Sequence, residues 1–226
     1  MIILACATER ELREMLAGLK KSVESGAVRV AGRRILPCVT GVGPVAAGIS
    51  AGEALARHPE AAGMINAGIC GSFDLERFPL GGICVARKEV WPEYGVRTDV
   101  ETTLLDYPMF PDMDLDAANG LRLDPAFCAG EMNLRLPEAW YQGVSLTVAG
   151  VSGGPGRADF LRERYCAATE NMEGFALALA ARRRGIPFLE IRTVSNLAGE
   201  RDKKKWNFRQ ALASLRSVLP MMLEGA

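Results

Sequence analysis

Histidine is nearly absent from this 226-residue sequence: the only one is His58. A histidine-based zinc site needs a second ligand at fixed spacing, and a serine nucleophile on a G-x-S-x-G elbow needs a histidine base after it in the chain, so both chemistries lack a partner. Cysteine pairs are missing too. Cys6, Cys38, Cys70, Cys84, Cys128 and Cys166 are scattered, with no C-x-x-C among them, which predicts reduced thiols, no metal centre and a cytoplasmic location. Charge of one sign is also lacking: 27 Lys and Arg balance 27 Asp and Glu, leaving no global field to draw nucleic acid or an anionic membrane. No apolar run is long enough to span a bilayer. The apolar start from Met1 to Ala7 is closed at once by Glu9, Arg10 and Glu11, too short for a signal segment. These absences favour a small neutral or weakly charged ligand, with no nucleic-acid or membrane partner and no cofactor.

What is present can build a core. With 49% hydrophobic and 24% charged residues, residues 1–226 are expected to fold as a single domain. Apolar runs alternate with helical patterns, predicting an α/β sheet covered by helices on both faces. Strands are predicted at Ile2 to Cys6, Gly63 to Ala67, Gly81 to Val90, Ser145 to Val151 and Pro187 to Val194, with a hairpin around Gly32 within Val28 to Val39. Helices are predicted from Glu9 to Leu19, Pro44 to Arg57, Glu173 to Arg184 (stopped by Gly185) and about Asn207 to Leu223. Trp91 to Pro111, rich in aromatics and proline without a period, reads as a long loop near the ligand. His58, followed by Pro59, reads as a helix-end surface residue.

Several segments could carry chemistry. Gly41-Val42-Gly43-Pro44 follows a strand and opens a helix, where backbone N–H groups could meet an anion or a sugar; a tight strand-to-helix turn would use the same glycines. Gly150-Val151-Ser152-Gly153-Gly154 matches a nucleophile elbow, but with no histidine after it Ser152 to Gly156 reads better as a flexible turn that could close on a ligand. Thr8-Glu9-Arg10-Glu11 is a capping box, which alone would explain Glu11; a carboxylate at the end of a first parallel strand is equally placed for acid or base work. Glu173, in Asn171-Met172-Glu173-Gly174, stands at a helix start, where the helix dipole favours an acid in any case. A further buried-looking strand ends in polar Ser195-Asn196.

Met172-Glu173-Gly174 followed by Arg192-Thr193-Val194-Ser195-Asn196 resembles the superfamily of purine nucleoside phosphorylases and nucleosidases, nearly end to end. Ala7 to Leu12, Thr40-Gly41-Val42-Gly43 and Ile65-Asn66-Ala67-Gly68-Ile69-Cys70-Gly71 resemble its methylthioadenosine/adenosylhomocysteine nucleosidase branch. The resemblance implies a three-layer α/β/α domain with a central mixed, twisted sheet, and a homo-oligomer in which the Asp106 to Met113 loop could lend Phe110 to a neighbour. The phosphorylases carry a phosphate-binding arginine where this chain has Asn66, so water is expected as the nucleophile. The adenine nucleosidases have Ser-Asp in place of Ser195-Asn196. The stretch Ser195-Asn196-Leu197-Ala198-Gly199-Glu200-Arg201-Asp202 with Trp206 is similar to the S-N-x-x-G-x-R-D-x-x-x-W pattern of the futalosine hydrolases, which release hypoxanthine in menaquinone biosynthesis.

By this resemblance Glu11 activates water, Glu173 grips the ribose hydroxyls, and Asn196, whose amide offers a donor and an acceptor together, meets the hypoxanthine edge. Met172 packs on the sugar, while Gly43, Cys70, Gly71 and Ser195 line the ligand, Gly71 by letting backbone approach the base. Arg192 orients carboxylates. Arg201 and Asp202 are candidate substrate-binding residues, Arg201 as a partner for the benzoate of futalosine; the alternative for Arg201 is an ordinary surface residue. An adenine nucleosidase, a nucleoside phosphorylase and a non-catalytic nucleoside-binding protein are the alternatives.

Overall fold

The computed structural model describes residues 1–17, 19–24, 26–97, 102–103 and 120–223. Strand β1 (Ile2–Cys6) is buried at all five positions, because neither side-chain direction meets water at the centre of a sheet with helices on both faces. It lies parallel to β4 (Arg33–Val39) and β5 (Gly63–Ser72). Helix α1 (Glu9–Met15) starts at the expected capping box but stops before Leu19, with Leu16 as its C-cap. The following residues instead form β2 (Lys21–Glu24), antiparallel to β3 (Ala27–Val30). The expected hairpin joins β3 to β4 through Ala31 and Gly32, at φ 45 and 77, the left-handed pair that a two-residue turn requires.

Helix α2 (Pro44–Arg57) has the expected bounds, with Pro at its first turn, Ala47, Ala51 and Ala54 buried, and His58 at its C-cap. Strand β6 (Ile83–Val90) follows. Within the stretch read as a loop, β7 (Val96–Arg97) and β8 (Thr102–Thr103) pair antiparallel; Phe110 and its neighbours lie outside the described residues. Then come β9 (Leu121–Arg122), α3 (Pro125–Glu131), β10 (Tyr141–Thr147), α4 (Pro155–Tyr165), β11 (Ala167–Asn171), α5 (Gly174–Arg184), β12 (Phe188–Leu197) and α6 (Phe208–Leu223). Strand β10 begins four residues before the strand expected at Ser145. The expected flexible turn after Ser152 instead leads directly into α4.

The sheet runs β11-β10-β6-β12-β5-β1-β4-β3-β2, with β9 on β6. Parallel and antiparallel pairs mix, and helices cover both faces as the α/β/α expectation requires. Met15 of α1 and Leu215 and Leu219 of α6 share one core with β1; Ala51 of α2 and Leu177 and Ala178 of α5 share another on the opposite face. One feature goes beyond the expected sheet: β11 also pairs antiparallel with β5, closing β5, β12, β6, β10 and β11 into a ring. Strands β5 and β12 run three to five residues past their expected ends to make this closure. Among the described residues no helix is long and apolar enough to cross a membrane.

Candidate active site

A cavity of about 240 Å³ opens at the carboxyl ends of β1, β5 and β12, the position where α/β sheets of this kind bind ligands. Thr8 and Glu11 line it from the first turn of α1, Ile69, Cys70 and Gly71 from β5, Glu170, Asn171, Met172 and Glu173 from the β11–α5 junction, and Ser195 and Asn196 from β12. Arg201, Trp206 and Phe208 line it from the chain after β12.

Glu11 completes the capping box and also lines the cavity. Its Oε2 accepts from Thr8 N at 3.0 Å and Thr8 Oγ1 at 2.7 Å, while Glu11 N donates to Thr8 Oγ1 at 3.2 Å. Its Oε1 accepts from Ile69 N at 3.0 Å. A carboxylate oxygen has two lone pairs, so Oε1 keeps acceptor capacity on a side chain already fixed by three donors. Fixing costs nothing at the moment of reaction, which is what a base needs.

Glu173 is the N-cap residue of α5, yet its side chain makes no cap bond. Asn171 does that work: its Oδ1 accepts from Glu173 N and Gly174 N, each at 2.8 Å. Glu173 is thereby released toward the cavity, where Oε1 accepts from Gly43 N at 3.2 Å and Oε2 lies 3.4 Å from Arg192 Nη1. The N–H of the glycine segment thus serves the protein's own carboxylate. Burial raises the Glu173 pKa, against the opposing pull of Arg192 and the Gly43 N–H.

Arg192 does not line the cavity. It is buried behind the cavity wall, its Nε donating to Glu190 Oε1 at 2.7 Å and its Nη2 to Asn171 Oδ1 at 3.3 Å. Burial alone would lower its pKa, but Glu190, Glu173 and Glu11 reverse this and raise it. A Cβ at Gly68 would sit 2.7 Å from both Arg192 Nη1 and Glu11 Oε1, so the absence of a side chain there is what admits both. Deeper still, a Cβ on Gly174 would come 2.5 Å from Glu190 Oε2 and 2.6 Å from Glu89 Oε1. Burial, followed by the charge of Glu190, holds the Glu89 carboxyl well above the usual carboxylate range.

On β12 the register shifts between Val194 and Asn196, a bulge that re-aims Ser195 and Asn196. Ser195 Oγ lies 2.7 Å from Asn196 Oδ1 and 3.0 Å from the Cys70 carbonyl, and Asn196 Nδ2 donates to the Leu197 carbonyl at 2.9 Å. The Arg201 guanidinium sits 5.4 Å from the centroid of Trp206, whose ring is 5.2 Å from that of Phe208. An aromatic wall and a planar cation therefore share one end of the cavity.

Of the residues expected from sequence, Glu11, Cys70, Gly71, Met172, Glu173, Ser195, Asn196 and Arg201 line this cavity. Gly43 reaches it through Glu173, and Arg192 acts from behind, as a holder of carboxylates. Asp202 is a correction: it is exposed and caps the Lys203–Lys205 turn, accepting from Lys204 N at 3.0 Å. Its neighbours in the chain face the cavity, but its own side chain is spent on the backbone. Asn66 is also away from the cavity, fully buried and donating to Glu190 Oε2 at 3.0 Å. Ser152 lines the cavity, and its Oγ donates to Glu170 Oε2 at 2.8 Å. Glu170, Trp206 and Phe208 were not singled out as site residues. For Glu170 the available signal was a carboxylate between two apolar alanines and the helix that follows.

The chain matches the profile of the Phosphorylase superfamily over residues 2–223. It is 32% identical to a futalosine hydrolase of Thermus thermophilus, over 81% of this chain and 79% of that protein. It is 36% identical to a futalosine hydrolase of Streptomyces coelicolor over 69% of this chain, and the match spans 63% of that relative's length. The solved structure of futalosine hydrolase from Helicobacter pylori superposes with a TM-score of 0.74 at 16% identity, covering 100% of this chain and 97% of that one, a likeness of fold.

Proposed function

The chain belongs to the Phosphorylase superfamily, and from that premise we propose that it hydrolyses the N-glycosidic bond of futalosine, releasing hypoxanthine and dehypoxanthine futalosine in menaquinone biosynthesis. One observation carries the reading: Glu11, Glu173 and Asn196, from three separate parts of the chain, line a single cavity. Relatives at 32% and 36% identity named for this activity support it.

Breaking the bond develops positive charge on the ribosyl carbon and negative charge on the base, so catalysis requires groups placed for both. Glu11 holds and deprotonates the attacking water through the free lone pair of Oε1. Glu173, anchored by Gly43 and Arg192, accepts from the ribose 2′ and 3′ hydroxyls. Asn196 donates its amide toward N7 and the 6-oxo edge as the base leaves. Met172 packs on the sugar. The benzoate lies at the other end, on Arg201 and the Trp206–Phe208 wall, where a guanidinium can grip it through two bonds. Water is the nucleophile because the N–H of Gly43 is committed to Glu173 and no arginine stands at position 66. A homo-oligomer in the cytoplasm completes the proposal: Val42, Val45 and Ile49 form an apolar stripe beside the cavity, 58%, 75% and 60% exposed, which a second copy would cover.

Asn196→Asp tests the assignment of the base. An aspartate there would set a second acceptor against the Leu197 carbonyl, so it must take up a proton or swing into the cavity, where it would repel the 6-oxo group. A buried polar mismatch costs about 1–3 kcal/mol. The variant should lose at least about tenfold in kcat/KM on futalosine at the upper part of that range. It should also shift the ratio of aminofutalosine or methylthioadenosine cleavage to futalosine cleavage upward. An unchanged ratio in folded variant protein would show that Asn196 does not read the purine.

A further inference from the structure

Strand β11 has the sequence Ala167-Ala168-Thr169-Glu170-Asn171, polar in three positions of five yet buried in all. Thr169 lies in the ring closure and Asn171 caps α5. The Glu170 backbone shares the ring closure, pairing with Gly71, but its side chain lines the cavity, at 4% exposure. Among the described residues its carboxylate is held by Ser152: the backbone N–H reaches Oε1 at 3.1 Å and Oε2 at 3.2 Å, and the hydroxyl donates to Oε2 at 2.8 Å. One shared N–H leaves Oε1 with acceptor capacity that no described residue fills.

Register gives this carboxylate its meaning. Gly71 pairs with Glu170 on β11 and with Asn196 on β12, so the three residues form one row across adjacent strands. A Cβ at Gly71 would lie 3.4 Å from Glu170 Cγ and 3.4 Å from Asn196 Nδ2. The row therefore presents an amide donor on one side of a bare backbone and a carboxylate on the other. A 6-oxopurine whose N7 and O6 meet the amide carries its N1–H on the adjoining edge. That N1–H is a donor, and once buried in the cavity it costs free energy unless an acceptor meets it. The equivalent nitrogen of adenine is an acceptor and would oppose the carboxylate.

Resting on the hypoxanthine reading above, we infer that Glu170 is a specificity-determining residue that accepts the N1–H of the 6-oxopurine base, and that Ser152 is the positioning residue that aims it. Both Ser152 donors favour the ionised, accepting form, against the burial that raises the Glu170 pKa. Glu170 and Asn196 together read three consecutive polar positions of the base, which neither could do alone.

The test is calorimetric titration of the full chain with hypoxanthine, 1-methylhypoxanthine and adenine. Wild-type protein should bind hypoxanthine at least about tenfold tighter than the methylated base or adenine. Glu170→Gln should weaken hypoxanthine by a similar factor without weakening adenine, since a glutamine amide can donate to the adenine nitrogen. Ser152→Ala should keep the preference for hypoxanthine in reduced form. Wild-type protein that binds 1-methylhypoxanthine as well as hypoxanthine overturns the inference without any variant. So does a Glu170→Gln protein that loses both bases alike, the result expected if Glu170 only braces the loop at Ser152. Futalosine turnover is a separate assay: failure there with the base preference intact retires the substrate and keeps the role of Glu170.

Discussion

Glu11→Gln protein should fold and lose about 10²- to 10⁴-fold of its turnover, the usual cost of removing a general base. Glutamine is the informative substitution because it can still serve the capping box: its amide oxygen can accept from Thr8 N and Oγ1 as Oε2 does now. Its NH₂ then faces the Ile69 N–H that Oε1 accepts from today. Donor against donor in a buried site costs about 1–3 kcal/mol, well short of the 5–15 kcal/mol that typically holds a domain of this kind. A modest fall in melting temperature with a large fall in kcat is therefore expected. Glu173→Gln should behave alike in rate, because it removes the charge proposed to face the ribose and leaves Arg192 with Glu190 as its closest carboxylate partner. Near-normal turnover by folded Glu11→Gln protein would assign that residue to capping alone.

The largest expected effect on stability is that of Arg192→Met, at about 3–5 kcal/mol, the cost of breaking a buried charge cluster by removing one partner. The arginine is fully enclosed and is the cation among Glu11, Glu173 and Glu190, with the Glu89–Glu190 pair beneath. Methionine fills much of the same volume, so the loss reflects charge rather than a cavity. Arg192→Lys keeps the charge but cannot bridge Glu190 and Glu173 in one plane; it should unfold less readily than the methionine variant and still lose turnover, as Glu173 drifts. Urea denaturation of the three proteins measures the first effect and kcat the second. An Arg192→Met protein as stable as wild type would mean that the carboxylates around it are already protonated.

Much of this fold was legible because single faces dominate. Ile2 to Cys6 is apolar throughout, α2 has Pro44 to start it and an alanine face to bury, and α5 stops at Gly185, which adopts φ 66. What could not be read was polar yet buried, or apolar too seldom. Strand β11 looks like a surface segment by composition, because Thr169, Glu170 and Asn171 are there for the ring, the cavity and the cap. Helix α4 buries only Ala158 and Leu161, too few for a period. The site followed the same division. Glu11, Glu173 and Asn196, which line the cavity, were singled out by motif, while Glu170 beside them was not, since its partner Ser152 is 18 residues away in the chain and the closure of β11 on β5 is what joins them to Asn196. Asp202 was overread because adjacency in a motif says nothing about which side chain turns inward.

The measurement that tests the account most directly is incubation of the purified protein with futalosine in phosphate-free buffer, followed by chromatographic identification of both products. Free hypoxanthine and a sugar product with an unphosphorylated anomeric carbon, formed at a rate that added phosphate does not raise, is the predicted result. Release of hypoxanthine only when phosphate is present, with a 1-phosphate on the sugar product, would contradict it.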